Sequence, residues 1–216
     1  MIRILLVALA LQWAPPLCAQ HGEQRMHHQF SGAEQWSKVF DDPARDAWQR
    51  PDEVVRALAL APEATVADIG SGTGYFAVRL ARAVPRGRVY GADIESDMVR
   101  FLNERAVREG LANLHTVLAT ESGPNLPAPV DLVLLVDTYH HIGRRGAYFA
   151  GLKSMLAPGG RVAIIDFRPD SPVGPPARHR IAATQVAEEM AQAGYRLVGE
   201  HGFLPNQYFL VFQPRE

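Results

Sequence analysis

From residue 51 onward, short apolar runs alternate with stretches in which apolar residues recur every three or four positions. The runs fall at 65–69, 88–92, 115–118, 132–136, 161–166, 195–200 and 208–212, and the helical stretches at 75–84, 96–109, 143–156 and 177–193. Apolar runs with little polar alternation suit strands covered on both faces, and a period near 3.6 suits amphipathic helices. Their alternation predicts an α/β fold: a seven-stranded, mostly parallel sheet with helices on both faces. Only residues 201–207 separate the last two runs. A parallel crossover takes a dozen residues or more, so the last strand is predicted antiparallel. One more helix is predicted ahead of the sheet, where Pro51, Asp52 and Glu53 supply a first turn and Val54, Val55 and Leu58 recur at helical spacing before Pro62.

The first fifty residues follow no such rhythm. Arg3 is the only charge among the first twenty, Ile4 to Trp13 are apolar but for Gln12, and Pro15, Pro16, Leu17, Cys18 and Ala19 follow. This is the layout of a secretory signal peptide cleaved near Ala19, and the apolar run is too short for a stable membrane span. Bulky Leu17 ahead of Cys18 argues against lipid attachment there. The chain thus divides into a signal peptide (1–19), a polar, aromatic-bearing segment of short helices (20–50) and a single α/β domain (51–216), with export to the bacterial periplasm expected.

Charge and cysteine content narrow the chemistry. Lys plus Arg number 22 against 23 for Asp plus Glu, so no strong positive field favours nucleic acid as a partner. Cys18 is the single cysteine, and cleavage after Ala19 would remove it. Disulfides, thiolate nucleophiles, Cys-ligated zinc and cysteine-based metalloid methylation then fall away.

The most informative segment follows the first predicted strand: Asp68, Ile69, Gly70, Ser71, Gly72, Thr73 and Gly74, with a helix predicted from Tyr75. Glycines at such a junction permit positive φ and let a ligand lie against the backbone. Unpaired N–H groups at a helix start suit a carboxylate or a phosphate. Dinucleotide loops space their glycines G-x-G-x-x-G and need no acid two residues earlier, whereas the spacing here is D-x-G-x-G-x-G. Asp93 closes the second strand 23 residues after Gly70. Its carboxylate can accept two hydrogen bonds side by side, the geometry of a ribose diol.

Together these features resemble the cofactor motifs of the class I, Rossmann-like, S-adenosylmethionine-dependent methyltransferases of small-molecule type, and the resemblance covers about residues 51–213. It implies that family's seven-stranded sheet, S-adenosylmethionine as cofactor and methyl transfer to a small-molecule acceptor. It places Asp68 near the methionine amino group, Gly70, Ser71, Gly72, Gly74 and Tyr75 around the amino-acid part, Asp93 on the ribose and Ile94 against the adenine. Relatives often carry an acid after the third strand for the adenine amine. This chain has Thr120 followed by Glu121 there, and either could take that place.

The fourth strand ends at Asp137 and is followed by Thr138, Tyr139, His140, His141 and Ile142. Ligands of open α/β sheets lie beyond the carboxyl ends of strands, which puts Asp137, His140 and His141 beside the reacting methyl and Asp137 beside the cofactor as well. The Asn/Asp-Pro-Pro-aromatic motif of nucleic-acid amine methyltransferases is absent. In-line displacement needs aligned reactants, and a base only if the acceptor is protonated. Asp137, His140 and His141 are candidate bases, the histidines being better matched by an ordinary pKa of about 6.5. Asp166 is a weaker candidate for the pocket, and residues 156–161 read as a structural turn. The aromatic segment 30–48, with Asp41, Asp42, Arg45 and Asp46, resembles the helical cap such enzymes place over the acceptor. His27, His28, His140 and His141 do not make a metal site by their spacing, and no metal is expected. The alternative reading is a catalytically silent module that binds S-adenosylmethionine as a sensor or partner. A dehydrogenase is more distant.

Overall fold

The computed structural model describes residues 32–215; the leader-like segment, His27, His28 and Phe30 lie outside the described residues. Seven strands form one sheet: β1 (Thr65–Ile69), β2 (Arg88–Asp93), β3 (Leu114–Leu118), β4 (Val130–Val136), β5 (Leu156–Phe167), β6 (Tyr195–His201) and β7 (Gln207–Pro214). Their order is β3-β2-β1-β4-β5-β7-β6. β7 runs antiparallel to both β5 and β6, and the remaining pairings are parallel. The helices are α1 (Ala33–Phe40), α2 (Asp46–Gln49), α3 (Pro51–Ala57), α4 (Ala77–Ala83), α5 (Ser96–Arg108), α6 (Arg145–Leu152) and α7 (Ala183–Gln192).

The sheet separates two apolar cores. Alternate residues of the central strands, Val66, Leu132, Leu134, Ala163 and Ile165, meet α3, α4 and α5, while Ala67, Ile69, Val133, Leu135, Val162 and Ile164 meet α6 and α7. β4 is buried everywhere except Asp131, which is why it reads as an unbroken apolar run. The outer strands β3 and β6 are largely half-buried or exposed.

Four predicted elements change their bounds. The helix expected over 75–84 begins at Ala77, because Gly74 turns left-handed at φ +98. The helix expected over 177–193 is confined to α7; ahead of it lies a single 3₁₀ turn, Ala177–His179, and extended chain. That extension is held by Arg180, whose guanidinium reaches the carbonyls of Pro169, Ser171 and Pro175. The helix expected over 143–156 spans Arg145–Leu152 and finishes as the 3₁₀ turn Lys153–Met155. β5 then starts at Leu156 instead of Arg161, with a register break against β4 that absorbs the Pro158-Gly159-Gly160 turn as an irregularity of the strand.

Candidate active site

The loop between β1 and α4 is built on three left-handed glycines, Gly70 (φ +72), Gly72 (φ +51) and Gly74 (φ +98). Its start is tied to the neighbouring strand by the Gly70 and Ser71 amides, which donate to the Ala92 carbonyl at 2.8 and 3.2 Å. A Cβ at Gly70 would lie 2.3 Å from Thr138 Oγ1, and one at Gly74 2.3 Å from Leu102 Cδ1. The loop therefore packs directly against the exit of β4 and against α5.

Two carboxylates stand at the strand ends beneath it. Asp68 is 3% exposed and Asp93 9% exposed. Burial, with the charge of Asp93 adding to it, pushes the Asp68 carboxyl up to about 7. The backbone of Ala77, the first residue of α4, works against this rise. Asp93 is also raised by burial, held in check by the N–H groups of Glu95 and Gly72, which reach its two oxygens at 3.0 and 2.8 Å. Each oxygen keeps a free lone pair. Next to it Ile94 is 55% exposed, and Leu118 at the end of β3 is 52% exposed, so the ends of β2 and β3 present an apolar shelf. Thr120 closes a short turn there, its hydroxyl bonded to Ser122 and the Gly123 carbonyl. Glu121 is exposed in the same turn.

Beyond β4, Asp137 adopts a left-handed backbone (φ +55). One of its oxygens accepts from the Gln207 amide and the other from Arg45 at 3.3 Å. Burial pushes its carboxyl up to about 7 against the pull of Arg45. His140 and His141 follow in the 3₁₀ turn Tyr139–His141, with ring centroids 4.2 Å apart. Here the structure separates residues that the sequence treats alike. His140 Nδ1 lies 2.8 Å from Asp166 Oδ2, with both side chains almost fully buried (4% and 2% exposed). Asp166 also accepts the main-chain N–H groups of His140 and Phe167. Burial works to lower the His140 pKa, but the hydrogen bond and charge of Asp166, joined by the charge of Asp137, leave it raised. With Nδ1 facing a carboxylate, the proton of neutral His140 is assigned to Nδ1 and the lone pair to Nε2.

The residues that sequence reasoning missed come from the N-terminal helices and from β7. Tyr75, which the sequence already marked, gains partners from there and from α4: its hydroxyl donates to Asp46, and the guanidinium groups of Arg45 and Arg79 lie 4.1 and 4.3 Å from its ring centroid. Buried Gln49 donates to Gln207 at 2.6 Å. Trp48 packs on Phe167 with ring centroids 5.6 Å apart, next to the Asp166 that holds His140. Such contacts span up to 158 residues of sequence, and no local spacing announces them. Tyr208, the cross-strand partner of Asp166, buries its hydroxyl without a hydrogen-bond partner. Among the described residues no cluster of three or more His, Cys, Asp or Glu could hold a metal ion, and no helix is long and apolar enough to cross a membrane.

Residues 66–160, from the glycine loop to the turn before the apolar half of β5, match the family described as "Methyltransferase domain". This stretch is similar to that family over somewhat less than half of the chain. The fold around it is that of the S-adenosylmethionine-dependent methyltransferases: a SAM-dependent methyltransferase from Aquifex aeolicus superposes with a TM-score of 0.77 at 25% identity, over 84% of this chain and 97% of that one. The magnesium protoporphyrin IX methyltransferase of Synechocystis PCC 6803, with bound SAH, shares the fold at a TM-score of 0.64 and 20% identity, over 84% of this chain and 93% of that one. Among curated relatives, an uncharacterized methyltransferase of Mycobacterium bovis is 32% identical over 54% of this chain and 57% of its own length. A ubiquinone/menaquinone biosynthesis C-methyltransferase of Syntrophotalea carbinolica is 30% identical over 55% of this chain and 51% of its own. The chain thus spans about half the length of the curated relatives it matches.

Proposed function

We propose that the protein is an S-adenosylmethionine-dependent methyltransferase acting on a small molecule that must lose a proton, with His140 as the base. The observation that carries this reading is the juxtaposition of the three-glycine loop, flanked by the buried carboxylates Asp68 and Asp93, with the buried His140–Asp166 pair on neighbouring strand ends. The donor set fits the cofactor. Asp93 keeps a lone pair on each oxygen for a ribose diol, and Ile94 and Leu118 offer the adenine an apolar face. The carboxylates of Asp68 and Asp137 suit an ammonium group, and the glycine main chain leaves room for the amino-acid part. When bound, S-adenosylmethionine supplies an electrophilic methyl carried on sulfonium sulfur. His140 then accepts the acceptor's proton at Nε2 while Asp166 fixes the ring and its tautomer.

Calorimetry tests the cofactor half. The protein is expected to bind S-adenosylmethionine and S-adenosylhomocysteine and to ignore NAD. Exchange of Asp93 for Ala removes hydrogen bonds to a charged acceptor and should weaken S-adenosylhomocysteine by about 1.5–3 kcal/mol, on the order of ten- to a hundredfold. Preference for NAD, or an unchanged affinity in the Asp93 variant, would refute the assignment.

We further propose that the protein is exported and loses its first nineteen residues, on the strength of the leader pattern in the sequence. N-terminal sequencing of protein recovered outside the cytosol should begin at Gln20, and an intact Met1 would overturn this.

A further inference from the structure

The segment 33–49 lies over the glycine loop, and little apolar burial holds it there. Of its residues only Ala33 and Gln49 are buried. Its attachments are polar. Arg105 of α5 bridges Asp41 and the Thr73 carbonyl at 2.8 and 3.0 Å, and Asp97 accepts from the Gly32 N–H. Arg79 pairs with Asp46 at 3.2 Å, and Gln49 bonds Gln207. Apolar contacts add to these: a Cβ at Gly72 would lie 3.4 Å from Phe40 Cδ2, and Trp48 packs on Phe167. The glycine whose bare backbone a ligand would approach is therefore faced by a side chain of this segment. A unit with few buried apolar groups and many exchangeable polar ties belongs to the low-stability end of a protein, where local opening is least costly.

Within this set Arg45 joins three parts of the molecule. Its Nη1 donates to the Phe40 carbonyl at 3.0 Å and its Nε to Gln49 at 3.2 Å, which stiffens the segment itself. Its guanidinium lies 4.1 Å from the centroid of Tyr75, the residue after the last loop glycine. Its Nη2 reaches Asp137 at 3.3 Å, and Gln49 closes a second route to the same carboxylate through Gln207. The side chain is only 15% exposed, so these bonds form away from bulk water, where charged hydrogen bonds count most.

We propose that segment 33–49 is a lid over the cofactor loop and that Arg45 is the positioning residue that sets its closed state, by gripping Tyr75 on the cofactor side and Asp137 on the acceptor side at once. The inference rests on the reading of the loop as the cofactor site. The lid lifts to admit the cofactor, and on closing Arg45 renews its contacts with Tyr75 and Asp137. Arg45 touches no reacting atom in this scheme. Its part is to make retention of the cofactor and shaping of the acceptor pocket a single event.

Amide hydrogen exchange on the unliganded protein tests the lid without any substrate. In Arg45→Met, which keeps the stem but loses the charge and its hydrogen bonds, amides of 33–49 are expected to exchange roughly tenfold faster or more, while those of β1, β4 and β5 stay unchanged. Arg45→Lys, which retains the charge, should recover part of the protection. S-adenosylhomocysteine should also dissociate faster from Arg45→Met than from the wild type. Unchanged exchange over 33–49, or faster exchange across the whole sheet, would overturn the lid. Failure of the wild type to bind S-adenosylhomocysteine would instead sink the cofactor reading, while the exchange result would still decide whether Arg45 holds the segment closed.

Discussion

Replacing Gly70 by alanine is expected to abolish detectable binding of S-adenosylhomocysteine and to lower the melting temperature, although only one methyl group is added. Two effects combine. The backbone at Gly70 sits at φ +72, where an L side chain costs roughly 1–2 kcal/mol. The new Cβ would also stand 2.3 Å from Thr138 Oγ1 and 2.6 Å from its Cγ2. Thr138 is short, β-branched and anchored by its own hydrogen bond to the Val136 carbonyl at 2.9 Å, so it has no free torsion with which to retreat. Overpacking of this kind costs about 1–3 kcal/mol. Relief can come only by driving the loop away from the exit of β4, which moves the Gly72 amide off Asp93 and displaces Asp137. A second substitution distinguishes the two terms. Thr138→Ala removes the two nearest atoms, so in the double variant the steric part should be recovered and the φ strain should remain, a non-additivity of more than about 1 kcal/mol in melting experiments. Full additivity would mean that the close approach of Gly70 and Thr138 has no energetic consequence.

The same contact shows what a linear reading can and cannot reach. The glycine spacing announced a tight, side-chain-free turn after β1 because that requirement is local: each of the three φ angles is positive. Strand content was legible for a similar reason. β1, β4 and the second half of β5 are buried on both faces, so their apolar runs are unbroken, and the seven residues between the last two strands left no room for a crossover. Helix starts were not legible where a distant side chain decides them. Arg180, for example, keeps the residues before α7 extended. The acceptor side was least accessible. Asp137, His140 and His141 all follow one strand end, and the sequence, though it favoured the histidines as bases, did not separate one histidine from the other. Partners from elsewhere separate them: Asp166 from the next strand claims His140, while Arg45 and Gln207, 92 and 70 residues away, claim Asp137.

That separation leads to the second large effect. Once an acceptor has been found by screening phenols, thiols and amines for release of S-adenosylhomocysteine, His140→Asn should lower kcat by about 10²–10⁴ and leave cofactor affinity unchanged. Asp137, already committed to Arg45 and Gln207, is not expected to replace it. The pH profile identifies the group. Asp166 and Asp137 hold His140 above its ordinary value, so the rate should rise with pH through a limb higher than about 6.5 as Nε2 loses its proton. In Asp166→Asn the carboxylate charge is gone and the limb should move to lower pH, a displacement that loss of packing alone would not produce. Stability should run the other way. A raised folded-state pKa means that the folded chain holds protons more tightly than the unfolded one, so the stabilisation is present at low pH and is lost as pH rises. For His140 it is lost above its unfolded value; for Asp68 and Asp137, both pushed up to about 7 by burial, it is lost between their ordinary carboxylate range and about 7. The unliganded protein should therefore melt at a lower temperature at pH 8 than at pH 5, over the range in which its rate climbs. A pH-independent rate in the wild type, or a limb unmoved in Asp166→Asn, would remove His140 from the chemistry and return the histidine–aspartate pair to a purely structural role at the end of β5.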